Sequence, residues 1–383
     1  MKDFIITNVV FDEAEFTAAA YYVDNKMALL DIRGAGEKSR IGHIYQCKCE
    51  KSQSNINALY LNAGDFRCYL SGSSHKTGDE FPVVVKKDAH GGKLASVSEN
   101  LEISGRYSVV EEGQTGVVFS SKLTRVQKNN ISPWFSEIEH EGLKIVVRTN
   151  AAYCEKKIVL DELKKNIDTI RSIRKQSEHA VCRSCLYRPK PFYINLLSGI
   201  YKEMPERIRT DSVVVYRELT ACGEAENIEL YNDANYPLSS MYNLRRDLGR
   251  LMDKKVYLKS GAYLVIEKTE AFVSIDVNSG KNIKGKKSEE TFRKVNLEAG
   301  EEILRQLSLR NLSGMILVDF ISLSDPEHSR ELLNVMRKKA SREYARTKVI
   351  DITPLGIMEI TRSKESLSLE ERVASEKERN NLC

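Results

Sequence analysis

The sequence is poor in the residues that break or bias a chain: it has 1 Trp, 8 Pro and 21 Gly in 383 residues. That scarcity excludes collagen-like, low-complexity and largely disordered chains. It lacks any run of 18 apolar residues, so no transmembrane helix is expected. The opening MKDFIITNVVFDEAEF carries acids where a signal peptide needs an apolar segment, which predicts a cytoplasmic protein. Cysteine clustering is also lacking. Cys47, Cys49, Cys68, Cys154, Cys182, Cys185, Cys222 and Cys383 are scattered, as reduced thiols would be. Cys182-Arg-Ser-Cys185 has metal-ligand spacing, but no second CxxC or His pair follows to complete a zinc set. Plain thiols, an intermolecular metal site and a redox pair all stay open for it.

What is present is a globular composition, 41% apolar and 30% charged. At about 150 residues per domain the length predicts two or three folding units with ample core. Lys and Arg number 59 against 54 acids, a net charge of +5. So mild a bias favours polyanion binding only where the positive charge is clustered.

Short apolar runs fill residues 1–36, and Asp24-Asn25 between two of them predicts a hairpin. From Ile41 to about Ser104 five or so short strands, separated by Gly64-Asp65, Gly72 and Gly91-Gly92, predict a small β-barrel of OB type. Such barrels stack bases on surface aromatics beside basic groups. Tyr60 and Tyr69 are the candidates, with Lys93 for phosphate; packing tyrosines would look the same. Lys144–Thr149 reads as a strand delivering an Arg148-Thr149 pair. Glu155 to about His179 reads as an amphipathic helix with Ile158, Leu160, Leu163, Ile167, Ile170 and Ile173 apolar. The Arg-Thr pair could clamp a phosphate through a guanidinium fork and a hydroxyl, or be merely solvated. Arg188-Pro189-Lys190-Pro191 reads as a linker, and 192–255 as helix, strand and helix, with the strand at Ser212–Tyr216.

The chemistry is expected in 256–323. Ala271–Asp276 is an apolar strand ending in a carboxylate, and Gly314–Phe320 is a second one carrying Asp319 near its end. Between them lie a loop with four lysines (281–287) and a helix predicted from Glu289 to Leu309. Two strand-end carboxylates suit Mg²⁺, commonly held by one or two carboxylates plus waters and phosphate oxygens. Asn278, two residues after Asp276, can share its side of the strand, and Arg310 and the lysines add positive charge. A strand-end Asp can equally cap a turn, and a lysine run can be a solvated loop.

Three segments carry a resemblance. TEAFVSIDVNSGK (269–281), VNLEAGEEILRQLSLRNLSGMILVDFISL (295–323) and PLGIMEITR (354–362) resemble the ribonuclease E/G family. MKDFIITN is similar to its opening, IGHIYQCKC to the entry of its S1 domain and IVVRT (145–149) to its 5′-sensor strand. The resemblance implies an α+β multidomain chain. An RNase H-like part split in sequence (1–36 and 188–255) would enclose an S1 barrel of OB type (37–104) and a 5′-sensor (105–187). A DNase I-like α/β catalytic domain (256–383) would follow.

It further implies an Mg²⁺-dependent endoribonuclease on single-stranded RNA in RNA processing and decay, leaving 5′-phosphate and 3′-hydroxyl ends. Asp276 and Asp319 match the metal carboxylates, Asn278 the supporting amide and Arg310 a basic residue beside the cleavage site. Gly105, Val109, Arg148 and Thr149 match the 5′-monophosphate pocket, with Arg346 contributed from the catalytic domain. Tyr60 and Tyr69 stand where the family has RNA-stacking phenylalanines, and Lys93 at their basic partner.

The departures concern assembly. The region where the family carries a CPxC-type zinc-link reads Leu367-Ser368-Leu369-Glu370-Glu371-Arg372-Val373, with a single later cysteine, Cys383. The expectation is a compact, ribonuclease G-like form without zinc-link or small C-terminal domain, so that a homo-oligomer would need another contact. Ser322 also replaces an acid three residues after the second metal Asp. The rival reading is a non-catalytic RNA-binding protein that keeps the S1 and sensor surfaces.

Overall fold

A computed structural model describes the chain except residues 36–38, 54, 56, 90–91, 201–203, 224–226, 234, 281–288, 342, 344, 365 and 382–383. It divides into two compact units, Glu37–Lys202 and Met1–Gly36 joined with Glu203–Cys383. Among the described residues no helix is long and apolar enough to cross a membrane.

The chain opens as an antiparallel meander, β1 (Lys2–Phe11), β2 (Ala14–Val23) and β3 (Lys26–Gly34). Its second turn is the expected Asp24-Asn25, both at positive φ (48° and 60°), which matches the twist of a two-residue hairpin. The first turn uses Asp12 and Glu13 in the same conformation, with no glycine to announce it.

In the unit Glu37–Lys202, β4 (Ile44–Gln53), β5 (Ala58–Asn62), β6 (Arg67–Ser71), β7 (Glu80–Lys87) and β8 (Ala95–Ser98) close into a five-stranded, OB-like barrel. Cys47, Leu61, Cys68, Leu70, Val83 and Val97 fill its interior, the thiols serving as small apolar groups. All seven described cysteines are free, and no group of three or more metal-ligating side chains forms among the described residues. Next come β9 (Glu102–Ser104), β10 (Ser108–Glu112), β11 (Gly116–Phe119), α1 (Arg125–Ile131), β12 (Leu143–Val147), α2 (Lys156–Ser177), β13 (Cys185–Tyr187) and α3 (Phe192–Ser198). Strand β13 returns to pair with β4, and α2 packs across the sheet β11-β12-β10-β9. Its buried stripe is Val159, Leu163, Ile167, Ile170 and Ile173. Ile158, expected in that stripe, is 48% exposed, because the spacing that fits the neighbouring strands starts one residue later.

The other unit resumes with β14 (Arg207–Thr210), α4 (Val213–Cys222), β15 (Ile228–Leu230), α5 (Leu238–Met241) and α6 (Leu244–Met252). The strand expected at Ser212–Tyr216 is instead the start of α4. Ser212 caps it, its hydroxyl accepting from the Val215 amide, and only Val215 of the three valines is buried. A cap thus outweighs the β preference of a short valine run. Strands β14 and β15 join the meander in the order β15-β14-β1-β2-β3.

A six-stranded sheet completes this unit, ordered β16-β17-β18-β19-β21-β20. Its strands are β16 (Lys255–Tyr257), β17 (Tyr263–Lys268), β18 (Phe272–Asn278), β19 (Gly314–Asp319), β20 (Thr347–Ile352) and β21 (Ile357–Arg362). Helix α7 (Glu289–Leu309) crosses over between β18 and β19, α8 (Pro326–Ala340) follows β19, and α9 (Leu369–Asn381) ends the described chain. Leu264, Ile266, Val273, Ile275, Ile316, Val318, Met358 and Ile360 form one sheet face and pack with Ala299, Ile303 and Leu307 of α7 and Leu332 and Met336 of α8. The alternating residues form the opposite, open face.

Candidate functional site

Strands β18 and β19 run parallel, with Asp276 opposite Asp319 in the register. Register partners share a sheet face, and adjacent strands lie about 4.8 Å apart, so both carboxylates leave the open face side by side. Both are exposed. Asn278 is on the same face, and its Nδ2 donates to Asp276 Oδ2 at 2.5 Å. That bond occupies one carboxylate oxygen and orients the other. Among the described residues neither Asp forms an ion pair. Two hard oxygen donors on an open face, neither of them ion-paired among the described residues, fit a divalent cation of the Mg²⁺ type.

The ground beneath Asp319 is set by α7. Asn296, fully buried, donates from Nδ2 to the Ile321 carbonyl (2.7 Å) and accepts from the Ile321 amide (3.2 Å). Glu289 at the start of α7 accepts from the Ser324 and Asp325 amides, and these bonds hold its carboxyl below the usual range. The segment after Asp319 is therefore pinned from one helix. Neither role stands out in the sequence; the signal for Asn296 is a lone amide within an apolar helical stripe.

Arg310 is not brought to the carboxylates. It follows α7 where the chain turns towards the start of β19, whereas Asp319 closes that strand. Its side chain is buried, with Nε donating to Gln306 Oε1 (2.7 Å) and Nη1 to the Asp253 carbonyl (2.8 Å). Burial pushes its guanidinium down to about 10. Its place is a structural junction, which corrects the expectation of a cationic group beside a phosphodiester. The lysine loop 281–287 lies outside the described residues, and Ser322 is exposed.

On the barrel, Tyr60 and Tyr69 are register partners on β5 and β6, both half-buried, with ring centroids 6.2 Å apart at 67°. Tyr60 donates its hydroxyl to Gln53 Oε1. Lys93 is exposed just ahead of β8, the strand that pairs with β6. The three are thus brought to one region of the barrel.

In the same unit, Val109 pairs with Val146 and the Arg148 amide donates to the Tyr107 carbonyl, which sets Gly105, Val109, Arg148 and Thr149 around adjoining strand ends. Arg148 is half-exposed and has no ion pair among the described residues. Thr149 is buried, with Oγ1 3.1 Å from Ser120 Oγ, a hydroxyl the sequence did not single out. Glu162 of α2 accepts from the amides of Arg106 (2.7 Å), Tyr107 (2.8 Å) and Ser108 (3.2 Å). Its carboxylate comes so near Gly105 that a Cβ there would lie 2.4 Å from Oε1, so a side chain at 105 would have to displace the carboxylate that holds these three amides. Arg346 belongs to the other unit, exposed just before β20.

The fold and these sites define a mixed α/β protein with a closed OB-like barrel and an acidic pair on an open sheet face. A family model described as the Ribonuclease E/G family matches residues 102–365, and the chain belongs to that family. Ribonuclease G of Salmonella typhimurium (strain SL1344) is 29% identical across 97% of this chain and 82% of its own length. Ribonuclease E of Escherichia coli (strain K12) is 26% identical across 89% of this chain and 35% of its own length. A chloroplastic ribonuclease E/G-like protein of Arabidopsis thaliana is 28% identical across 76% of this chain and 31% of its own length.

Proposed function

We propose that this chain is an Mg²⁺-dependent endoribonuclease that cuts single-stranded RNA during processing and decay, with a preference for 5′-monophosphate ends. The observation that carries the reading is the register pairing of Asp276 with Asp319 beside Asn278. The pair would hold the ion. When bound, Mg²⁺ would supply Lewis-acid stabilisation of the phosphodiester and a more acidic water; with the 3′-oxygen as leaving group, attack by that water would leave 5′-phosphate and 3′-hydroxyl ends.

The chain's own residues do the rest. Asn278 fixes the orientation of Asp276, and the open face leaves room for an RNA strand to approach both carboxylates. Tyr60 and Tyr69 would stack bases, with Lys93 drawing the backbone onto the barrel. Arg148, with the Thr149 and Ser120 hydroxyls near it, would bind a terminal phosphate; Arg346 of the other unit is a further candidate phosphate ligand. In this reading 37–104 is the S1 barrel and 105–187 the sensor. Residues 1–36 with 188–255 form the RNase H-like part, and 256–383 the DNase I-like catalytic domain.

The test is single-turnover cleavage of a labelled, A/U-rich single strand by the native chain and Asp276→Asn. The reading expects internal cuts that fall by about 10³-fold or more in the variant, a loss of about 4 kcal/mol in barrier lowering, with RNA affinity kept. Native protein that binds this strand without cutting it would leave the RNA-binding alternative.

A further inference from the structure

The open face of the six-stranded sheet carries a second group beside the carboxylates. Tyr257 and Tyr263 are register partners on β16 and β17, with ring centroids 6.2 Å apart and planes at 54°. Lys255 reaches over both rings, its Nζ 3.7 Å from the Tyr263 centroid and 4.9 Å from that of Tyr257. Tyr263 stands directly opposite Asn278, the residue bonded to Asp276. All of these side chains leave the same face, because Val256, Leu264 and Val277 between them point into the core.

Tyr257 is 72% exposed, so its ring contributes little to the core. Lys255 is exposed and forms no ion pair among the described residues, so its ammonium is held by the ring faces and not by an acid. Lys255 braces both rings, and Tyr257, the more exposed of the two, presents π-surface to solvent. Strand spacing puts β16 about 10 Å from β18, within one nucleotide's reach of the acidic pair.

We propose that Tyr257 and Tyr263, braced by Lys255, form a stacking subsite for the nucleobase adjoining the scissile phosphodiester of single-stranded RNA. This rests on the nuclease reading of Asp276 and Asp319. A nucleobase is the occupant the chemistry favours: every base offers a π-face, and the subsite's cation suits the phosphate that must pass beside it on the way to the carboxylates. Stacking there positions the bond to be cut and biases which nucleotide precedes or follows it. The tyrosines are binding residues and Lys255 a positioning residue.

The test is a coupling experiment. Single-turnover kcat/KM is measured for the native chain, Tyr257→Ala and Tyr263→Ala on one RNA strand and on versions with a single abasic site stepped through the nucleotides flanking the cut. The inference expects each alanine to lower kcat/KM about five-fold or more on intact RNA. One abasic position should cost the native chain a similar factor, and the alanine variants should lose nothing further there. Tyr257→Phe, which keeps the π-face, should recover most of the loss. Equal abasic sensitivity in native and variant chains would overturn the subsite while leaving the nuclease intact. If the native chain does not cut at all, the nuclease reading fails first. The subsite is then judged by RNA affinity with the same abasic series, where absence of coupling overturns it. A change in sedimenting mass on Tyr257→Ala without coupling would mean that a second copy covers this face, and would also overturn it.

Discussion

The backbone of Gly280 rests against that of Gly261: a Cβ on Gly280 would lie 2.3 Å from the Gly261 carbonyl oxygen, and Gly280 has φ +69°. Gly261 is in the turn between β16 and β17, and Gly280 comes two residues after Asn278. The end of the carboxylate-bearing strand is therefore seated, backbone on backbone, against the neighbouring turn. Gly280→Ala meets both a clash and left-handed strain. It should cost about 1–3 kcal/mol of stability and displace Asn278. Chemical denaturation with parallel cleavage assays checks this, and an alanine variant as stable and as active as the native chain would contradict it.

The barrel tyrosines predict an affinity effect separable from chemistry. Tyr60→Ala and Tyr69→Ala should each weaken single-strand binding by about 1–3 kcal/mol, and Tyr→Phe by far less, because stacking needs only the ring face. Fluorescence anisotropy at fixed salt measures it. Alanine variants that bind like the native chain would return both residues to packing roles.

Arg148 predicts a discrimination effect. With the native chain, 5′-monophosphate RNA should be cut faster than 5′-hydroxyl RNA, and Arg148→Ala should erase the difference while leaving 5′-hydroxyl cleavage nearly unchanged. Equal native rates on the two substrates would remove the sensor from the account.

Glu302 predicts how stability depends on pH. Burial alone would raise its carboxyl, but the bonds from Arg305, Gln306 and Lys26 overcome this and bring it down to about 2. A carboxyl lower in the folded than in the unfolded chain stabilises fully above its unfolded value, about 4.3, and this stability is lost as pH falls to about 2. At about 1.4 kcal/mol per unit of pKa difference, the contribution is on the order of 3 kcal/mol. Glu302→Gln should therefore lose stability at pH 7 and differ little from native near pH 2, as urea titrations at the two pH values will show. A gap that is the same at both would contradict the assignment.

Much of this site was legible in the sequence because its signals are local. Asp276 and Asp319 each close an apolar run of strand length, and the bounds of α7 follow from its periodicity. Asp24-Asn25 marks a hairpin because both residues tolerate positive φ. What stayed hidden depends on partners distant in sequence. Glu162 reads as one more charge on a charged helix until the chain folds and places it under three amides of the 106–108 turn. Arg310 reads as a phosphate ligand until Gln306 and the Asp253 carbonyl are seen to hold it in the interior. The valines after Ser212 look like a strand because neither their cap nor their exposure can be read from hydrophobicity. Tyr257 and Tyr263 become a pair only through strand register.

In the proposed reading Asp276 and Asp319 together hold the metal ion that makes this chain a nuclease. The most direct test of that reading is the rate of internal cleavage of a 5′-monophosphorylated single strand as Mg²⁺ is titrated, for the native chain and Asp319→Asn. The account predicts no cutting without Mg²⁺, saturable cutting with it, and loss of that activity in the variant with RNA binding unchanged. Cleavage by Asp319→Asn at the native rate, or native cleavage indifferent to Mg²⁺, would contradict it.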